Sequence, residues 1–388
     1  MRISMPGIYW LAEYGCKKCG TKFLQSLPVG HMLDHPLAIA KENHKLYPND
    51  WNMYWQYEPF LGSFINFKND EVSIRKIVYA THQKVIILNT LDYLYGHTLL
   101  KLYNALHYID TRKDLGLIVI IPRIFEWMIP AGCAEAWVVD LRLSELKSGY
   151  EAIDQSVSEE CKPFDEIYAS RANSHPEFTS IDISRLTGVQ PFDLSKFYQM
   201  KPFFTFVLRE DRWWLKNRMS QMAFRLSRKL NLSGIVGRIL VRKQDALVKR
   251  TIRRIRQSLP EAEFCITGVG SSGSLRRWAA DKRTVKMDAE MEREWCRAYA
   301  RSHVVIGAHG SNMLLPTALA AGCVEVLMEE RNRNIIQDIS VRYNDRRQLF
   351  FYRFVDQYAS PRSIAAKAVA IYQHYNNCYR NMVLNLPE

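Results

Sequence analysis

Apolar residues recur along this chain in two rhythms. Short unbroken runs at Val85–Leu88, Leu117–Ile121 (LIVII), Ala136–Asp140 (AWVVD) and Ile167–Ala169 read as buried strands. After the first of these, His97–Arg112 carries Leu99, Leu102, Leu106 and Ile109 at helical spacing, and Phe125–Ile129 predicts a short helix. A second series starts at Phe203–Leu208 (FFTFVL) and continues through Phe264–Thr267, Thr284–Met287, Val304–Ile306 and Val324–Met328. Strands alternating with helical patterns predict parallel βαβ units and doubly wound sheets. Residues 1–70, rich in Pro, Gly, Tyr and Trp, show little period and are expected to form an irregular cap with short helices. A polar stretch with Pro176, Gly188 and Pro191 offers a hinge, and Ser363–Tyr379 reads as a helix.

The fold expected from this pattern is α/β, with two Rossmann-like domains facing a cleft. The first domain spans 71–200 and the second 201–360, with a closing helix over 361–388. Ligands of such sheets bind at the carboxyl ends of strands, so residues just after each strand are the first candidates for chemistry.

The stretch Ser302–Glu330, SHVVIGAHGSNMLLPTALAAGCVEVLMEE, is the most informative. It predicts a buried strand, a turn over Gly307–Ser311, a helix over Asn312–Ala321 and a second strand. A strand-to-helix turn exposes backbone N–H groups at the positive end of the helix dipole and can hold a diphosphate. Gly307 and Gly310 permit close approach, His309, Ser311 and Asn312 add polar groups, and Glu329 or Glu330 is placed to reach sugar hydroxyls. A purely structural turn is the bland alternative. No charged residue lies between Val304 and Val324, but the Gly, His, Asn and Pro residues inside that window oppose a membrane span.

Three further sets compete. Arg209, with Arg212 nearby, follows the strand FFTFVL and offers a planar fork for phosphate oxygens. Gly268, Gly270 and Gly273 fit G-x-G-x-x-G after a strand, with Asp288 twenty residues beyond Gly268. That spacing is a dinucleotide fingerprint, although the same glycines also suit a nucleotide-sugar pocket or a plain loop. In the first half Asp92, His97, Arg123, Glu126, Asp140 and His175 follow strands or flank turns. Asp92, His97 and Glu126 are the candidates there for a base that deprotonates a hydroxyl.

Composition adds one feature. The 388 residues carry a net charge of +13, and 209–256 alone holds fifteen Lys or Arg against Glu210, Asp211 and Asp245. With Trp213, Trp214, Met219, Met222 and Leu226 interleaved, this segment reads as basic amphipathic helix suited to anionic lipid, nucleic acid or phosphorylated substrates. The eight cysteines are scattered apart from Cys16 and Cys19, and the first residues lack a secretory pattern. A reduced, cytoplasmic setting is expected, peripheral at the inner face of the membrane. No Asp-x-Asp pair, P-loop or GxSxG elbow occurs, so kinase, ATPase and hydrolase readings lose ground; no metal and no cofactor is expected.

The segment HVVIGAHGSNMLLPTALAAGCVEVL resembles the GxHGAGLTN…PG…E signature of family 61 glycosyltransferases, which have the GT-B fold. Gly307, His309, Gly310, Asn312 and Gly322 match, Ser311 replaces the usual Ala, and Glu325 stands at the acidic position, which counts it among the expected donor-binding residues. FTFVLREDR is similar to the arginine motif that opens the nucleotide-binding domain of that family, which implies a donor-diphosphate contact for Arg209. The resemblance implies an inverting, metal-independent transfer from a nucleotide-sugar donor to a glycan, lipid-linked or protein hydroxyl. Two other classes stay open. One is an NAD-dependent oxidoreductase using Gly268–Gly273, and the other a non-catalytic nucleic-acid-binding protein using 209–256.

Overall fold

The computed structural model describes residues 2–47, 54–210, 213–215, 217–220, 222, 226 and 233–382. They divide into two compact units, 1–177 and 178–388. The stretch 178–200 thus belongs with the second unit, not the first. Phe192 and Phe197 explain this assignment, because both are buried in the second core, and the Phe192 N–H donates to the Leu319 carbonyl at 2.8 Å.

The first unit opens with strands β1 (Arg2–Ser4), β2 (Leu11–Gly15), β3 (Lys22–Ser26), β4 (Ala38–Ala40) and β5 (Leu46–Tyr47), paired in chain order. All their pairings are antiparallel. An irregular cap with short helices was expected over 1–70; a helix is found there, but beside a five-stranded sheet. Helix α1 (Tyr54–Ile65) packs on it through Phe60 and Phe64, which join Leu11, Met32 and Ile39 in one apolar cluster.

The second sheet of this unit runs β10-β7-β8-β9-β6, built from β6 (Ile74–Val78), β7 (Lys84–Asn89), β8 (Gly116–Pro122), β9 (Glu135–Val139) and β10 (Glu166–Ala169). Strands β7 to β10 are parallel, and β6 runs antiparallel on the far edge. Every residue of β8, GLIVIIP, is buried, as a central parallel strand covered on both faces requires. Helix α2 (Tyr95–Thr111) follows β7 and buries Leu99, Leu102 and Leu106, and α3 (Glu151–Cys161) precedes β10.

The second unit carries one sheet in the order β13-β12-β11-β14-β15-β16. Its strands are β11 (Phe203–Val207), β12 (Glu263–Thr267), β13 (Ala280–Asp281), β14 (Val304–Ala308), β15 (Gly322–Leu327) and β16 (Tyr352–Asp356), all parallel. Numbered by appearance, the order is 3-2-1-4-5-6, that of the dinucleotide-binding doubly wound sheet. The predicted strand Thr284–Met287 is absent. Val285 is 75% exposed there, and the edge position falls to β13 instead. Helices α4 (Ser233–Ser258) and α7 (Pro361–Met382) pack together, and Ile364, Ala368 and Ile371 bring α7 into the core. The closing helix is thus part of this unit, which, like the parallel sheet of the first, is Rossmann-like.

His303 fastens the start of β14 to its surroundings. The Phe203 N–H donates to its Nδ1 at 3.1 Å, and its Nε2 lies 2.7 Å from the Phe197 carbonyl. The ring is therefore neutral and protonated on Nε2. Burial, outweighing these two backbone hydrogen bonds, pushes its pKa from 6.5 down to about 4. Between those values the unfolded chain binds a proton that the native chain refuses, so stability falls as pH drops from 6.5 towards 4. The shift corresponds to about 3 kcal/mol. We expect His303→Gln to lose about 1–3 kcal/mol at neutral pH and to show a shallower loss of Tm below pH 6.5. Thermal melts across that range check both. Some slope must remain, because burial also holds His31 to about 4.

Candidate functional site

In the second sheet the chain steps outward from β11 through β12 to β13, then returns to β14 and steps the other way. The connections leaving β11 and β14 therefore diverge, and a crevice opens between the carboxyl ends of these two strands. Arg209 lies two residues past Val207, and His309 two residues past Gly307, its register partner. The two residues singled out for diphosphate binding thus flank the switch point.

The turn after β14 is held tightly. A side chain on Gly307 would place its Cβ 2.6 Å from Met313 Sδ and 3.0 Å from the Val207 carbonyl oxygen. Gly310 adopts φ 143°, which residues with a Cβ rarely reach. The His309 N–H donates to the Val326 carbonyl at 3.0 Å, extending the β14–β15 ladder by one step. Its ring is fully buried, with Nδ1 2.5 Å from Glu325 Oε2, and the Tyr352 hydroxyl donates to Glu325 Oε1 at 2.6 Å. Burial raises the Glu325 pKa, and His309 and Tyr352 pull against that rise.

Glu325 was expected to contact the donor. It has no exposed surface, and neither has the His309 ring that its carboxylate holds. Ser311 and Asn312 are half-buried. The Asn312 amide donates to the Ala308 carbonyl at 3.2 Å, while its Oδ1 finds no donor among the described residues. The predicted helix is shorter than expected, a 3-10 turn over Ser311–Met313 followed by helix over Leu314–Leu319. Glu329 is exposed at the end of β15 and hydrogen-bonds Gln357. Arg212 lies outside the described residues.

The glycine-rich loop is a loop without the helix that a dinucleotide site requires. No helix follows Gly268–Gly273; the chain runs instead into β13. A Cβ on Gly268, at φ 114°, would fall 1.9 Å from the Leu208 carbonyl oxygen, and one on Gly270 would strike the Glu210 side chain. Glu210 accepts from the Ser271 N–H at 2.6 Å, and buried Arg283 bridges Asp245 and Asp281 to secure the loop's far side. These glycines let the loop close over the end of β11. Asp288 caps the helix Ala289–Ala300, accepting from the Met291 N–H at 2.9 Å. Without a helix N-terminus behind the glycines, the dinucleotide reading loses its anion site.

The first unit has its own switch point. Strand order reverses between β7 and β10, and Asp92 lies just beyond β7. Its carboxylate is 1% exposed and is met by three basic side chains. Lys101 Nζ donates to Oδ2 at 2.9 Å and to the Leu91 carbonyl at 2.9 Å, and the Leu94 N–H donates to Oδ1 at 3.0 Å. His97 Nδ1 stands 3.3 Å from Oδ1 and His31 Nε2 3.6 Å from Oδ2, with the two rings 4.0 Å apart. Burial alone would raise this carboxyl, but Lys101 and the two imidazoles override it and hold Asp92 well below the usual range.

His31 escapes a reading of the sequence because 61 positions separate it from Asp92. It arrives on a 3-10 turn, Gly30–Met32, anchored where the Gly30 N–H meets the Arg171 carbonyl at 2.7 Å. His31, Asp92 and His97 lie close enough together to hold a cation. Lys101 Nζ already pairs with the same carboxylate at 2.9 Å. Glu126 is not part of this group. It follows β8 and forms an ion pair at 2.6 Å with Arg75 on β6, at the opposite edge of the sheet. Arg123 and Asp140 pair on the surface at 2.8 Å.

No protein-family model and no curated protein matches the chain. Among solved structures it is similar to a putative UDP-N-acetylglucosamine 2-epimerase from Listeria monocytogenes, with 10% identity and a TM-score of 0.30. That match covers 74% of this chain and 65% of the other, so this chain spans a little under two thirds of its length. It is also similar to the glycosyltransferase SnogD from Streptomyces nogalater, with 10% identity, a TM-score of 0.25 and coverage of 72% and 74%. A third is S. aureus MnaA with UDP, with 9% identity, a TM-score of 0.23 and coverage of 79% and 78%. No residue role follows from likenesses at this level.

The loop geometry yields a test of its own. Asp288→Ala should cost about 1 kcal/mol through the lost helix cap. It should leave nucleotide binding unchanged, and NAD should give no thermal shift in either protein. Urea unfolding and ligand-dependent melts read the two effects separately.

Proposed function

We propose that the chain is a GT-B glycosyltransferase, resembling family 61, that transfers a sugar from a nucleotide diphosphate donor to a hydroxyl acceptor. One observation carries this reading. In each unit the polar groups capable of chemistry gather where the strand order of the parallel sheet reverses, the place where such sheets take ligands.

The donor belongs to the second unit. Backbone N–H groups of the turn after β14 and the Arg209 guanidinium receive the diphosphate, and Ser311 and Asn312 add hydrogen bonds. Glu325 keeps the His309 ring in one orientation, so the group is set before the donor arrives. Preorganised donors aimed at a developing charge each contribute roughly a hundred- to thousandfold in rate.

The acceptor base belongs to the first unit. His97, one-fifth exposed at its side chain, takes the proton of the acceptor hydroxyl, and Asp92 stabilises the imidazolium that results. The hydroxyl oxygen attacks the anomeric carbon as the bond from that carbon to the diphosphate oxygen breaks. The configuration inverts, and the nucleoside diphosphate leaves with the bonding pair. Lys101 keeps Asp92 ionised throughout. No metal is needed to offset the leaving charge, because Arg209 and the turn supply that service. Among the described residues the oxidoreductase reading lacks a helix N-terminus behind Gly268–Gly273.

A thermal-shift panel of UDP, GDP, CDP and NAD tests the donor site. One nucleoside diphosphate at a hundred times its dissociation constant should stabilise the protein by about 2.7 kcal/mol. His309→Ala and Arg209→Ala should each reduce the shift, and Glu325→Gln should reduce it with His309 still present. No shift with any nucleoside diphosphate would sink the proposal.

The base is tested in turnover with that donor. His97→Ala should lower kcat by about a hundred- to ten-thousandfold with the nucleotide shift intact. EDTA should leave the rate unchanged. A loss restored by a divalent ion would instead assign His31, Asp92 and His97 to a metal.

A further inference from the structure

Helix α4 has two faces with separate tasks. Leu240, Gln244, Leu247, Val248, Thr251 and Ile255 are buried. At about 100° per residue, Ile235, Arg238, Ile239, Arg242, Arg250 and Arg253 all fall within about 60° of one line on the other side. All six are exposed. This outward face is ~39 Å long, from 26 residues at about 1.5 Å each.

Its chemistry is one-sided. From Ser233 to Ser258 the helix holds eight Lys or Arg and a single carboxylate, Asp245. That carboxylate is buried against Arg283 at 3.1 Å, so the outward face carries no acid. Aliphatic side chains stand among the cations. Ile235 is 55% exposed and Ile239 47%, and in the preceding segment Met219 is 76% and Met222 60% exposed. Lys243 Nζ, 3.4 Å from Ser220 Oγ, ties that segment to the helix. At the other end Arg250, Arg253, Arg254 and Arg362 line a groove of about 350 Å³ where α7 begins at Pro361.

We propose that this face docks on a bilayer containing anionic phospholipid. Cations alone would suit nucleic acid equally, but the apolar residues separate the two. Single-strand binding relies on aromatic stacking, and the exposed apolar residues here are isoleucine and methionine. An interfacial helix, by contrast, sets aliphatic side chains into the headgroup boundary while Lys and Arg meet the phosphates. The arginine groove offers a phosphate headgroup a seat. No helix among the described residues is long and apolar enough to cross a membrane, so the contact is peripheral. This inference stands apart from the transfer reading, although a docked enzyme would meet lipid-linked acceptors readily.

Sedimentation of the full chain with phosphatidylcholine vesicles, with and without phosphatidylglycerol, tests the proposal. Binding should require phosphatidylglycerol and weaken as salt rises. Arg238→Glu with Arg242→Glu should weaken it at least tenfold, since each cation near an anionic surface is worth about fivefold. Ile235→Asp with Ile239→Asp should weaken it comparably without removing a cation. Both pairs are exposed, so melting temperature and the nucleoside diphosphate shift should stay as in the parent protein. Absent binding, equal binding to neutral vesicles, or isoleucine variants that bind like the parent would each overturn the proposal. So would a single-stranded oligonucleotide bound more tightly than vesicles. Vesicle binding with no nucleotide shift would leave the docking face standing and remove only the transfer reading.

Discussion

Parallel strands all end at the same edge of their sheet, and this constraint orders both units. Every crossover must carry the chain back to the opposite edge, so the loops leaving the carboxyl ends are the ones free to vary. Where the strand order reverses, two neighbouring loops leave in opposite directions and expose backbone between them. In the second unit those loops begin at β11 and β14 and present Arg209 and the Gly307–Asn312 turn. In the first they begin at β7 and β10, where Asp92 lies. The candidate groups gather at these places because side chains elsewhere on a doubly covered sheet are committed to packing.

Two of the buried carboxylates, Glu325 and Asp92, show how surroundings decide what one functional group does. Glu325 lies within a strand, with an imidazole and a phenol as its partners, and burial raises its pKa. It serves as a fixed acceptor that orients a ring. Asp92 is almost equally buried, yet the ammonium of Lys101 and two imidazoles keep it ionised. Unpaired, either charge would cost several kcal/mol to bury. The identity of the partner, more than the depth of burial, separates a scaffold carboxylate from one able to support proton transfer.

Much of this was legible in the sequence, and the failures have physical causes. Runs such as LIVII and FFTFV announce strands covered on both faces, because a continuous apolar run has few other uses. The His309 turn was legible because its glycines and polar residues follow such a run directly. Strands β1 to β5 were missed because they are short and only partly buried, which leaves little alternation to read. Strand β16, YRFVD, was hidden by its edge position and mixed polarity. The helix after Asp288 did carry a signal, an Asp followed by Glu290 and Glu292, which is the pattern of a capped first turn. The spacing to the glycines drew attention away from it. His31 gave no local signal, since only the folded chain brings it to Asp92.

The missing side chain at Gly307 has a mechanical meaning. Met313 reaches back into that space and Val207 closes it from the other side, so turn, following helix and central strand are wedged together. A ligand that displaced the turn would have to displace β11 with it, and Arg209 would move in the same direction. The two halves of the proposed anion site are thus geared to one another. Under the proposed transfer, redesign of the turn would mostly damage the sheet, whereas Glu329, exposed at the neighbouring strand end, can be changed without disturbing the frame.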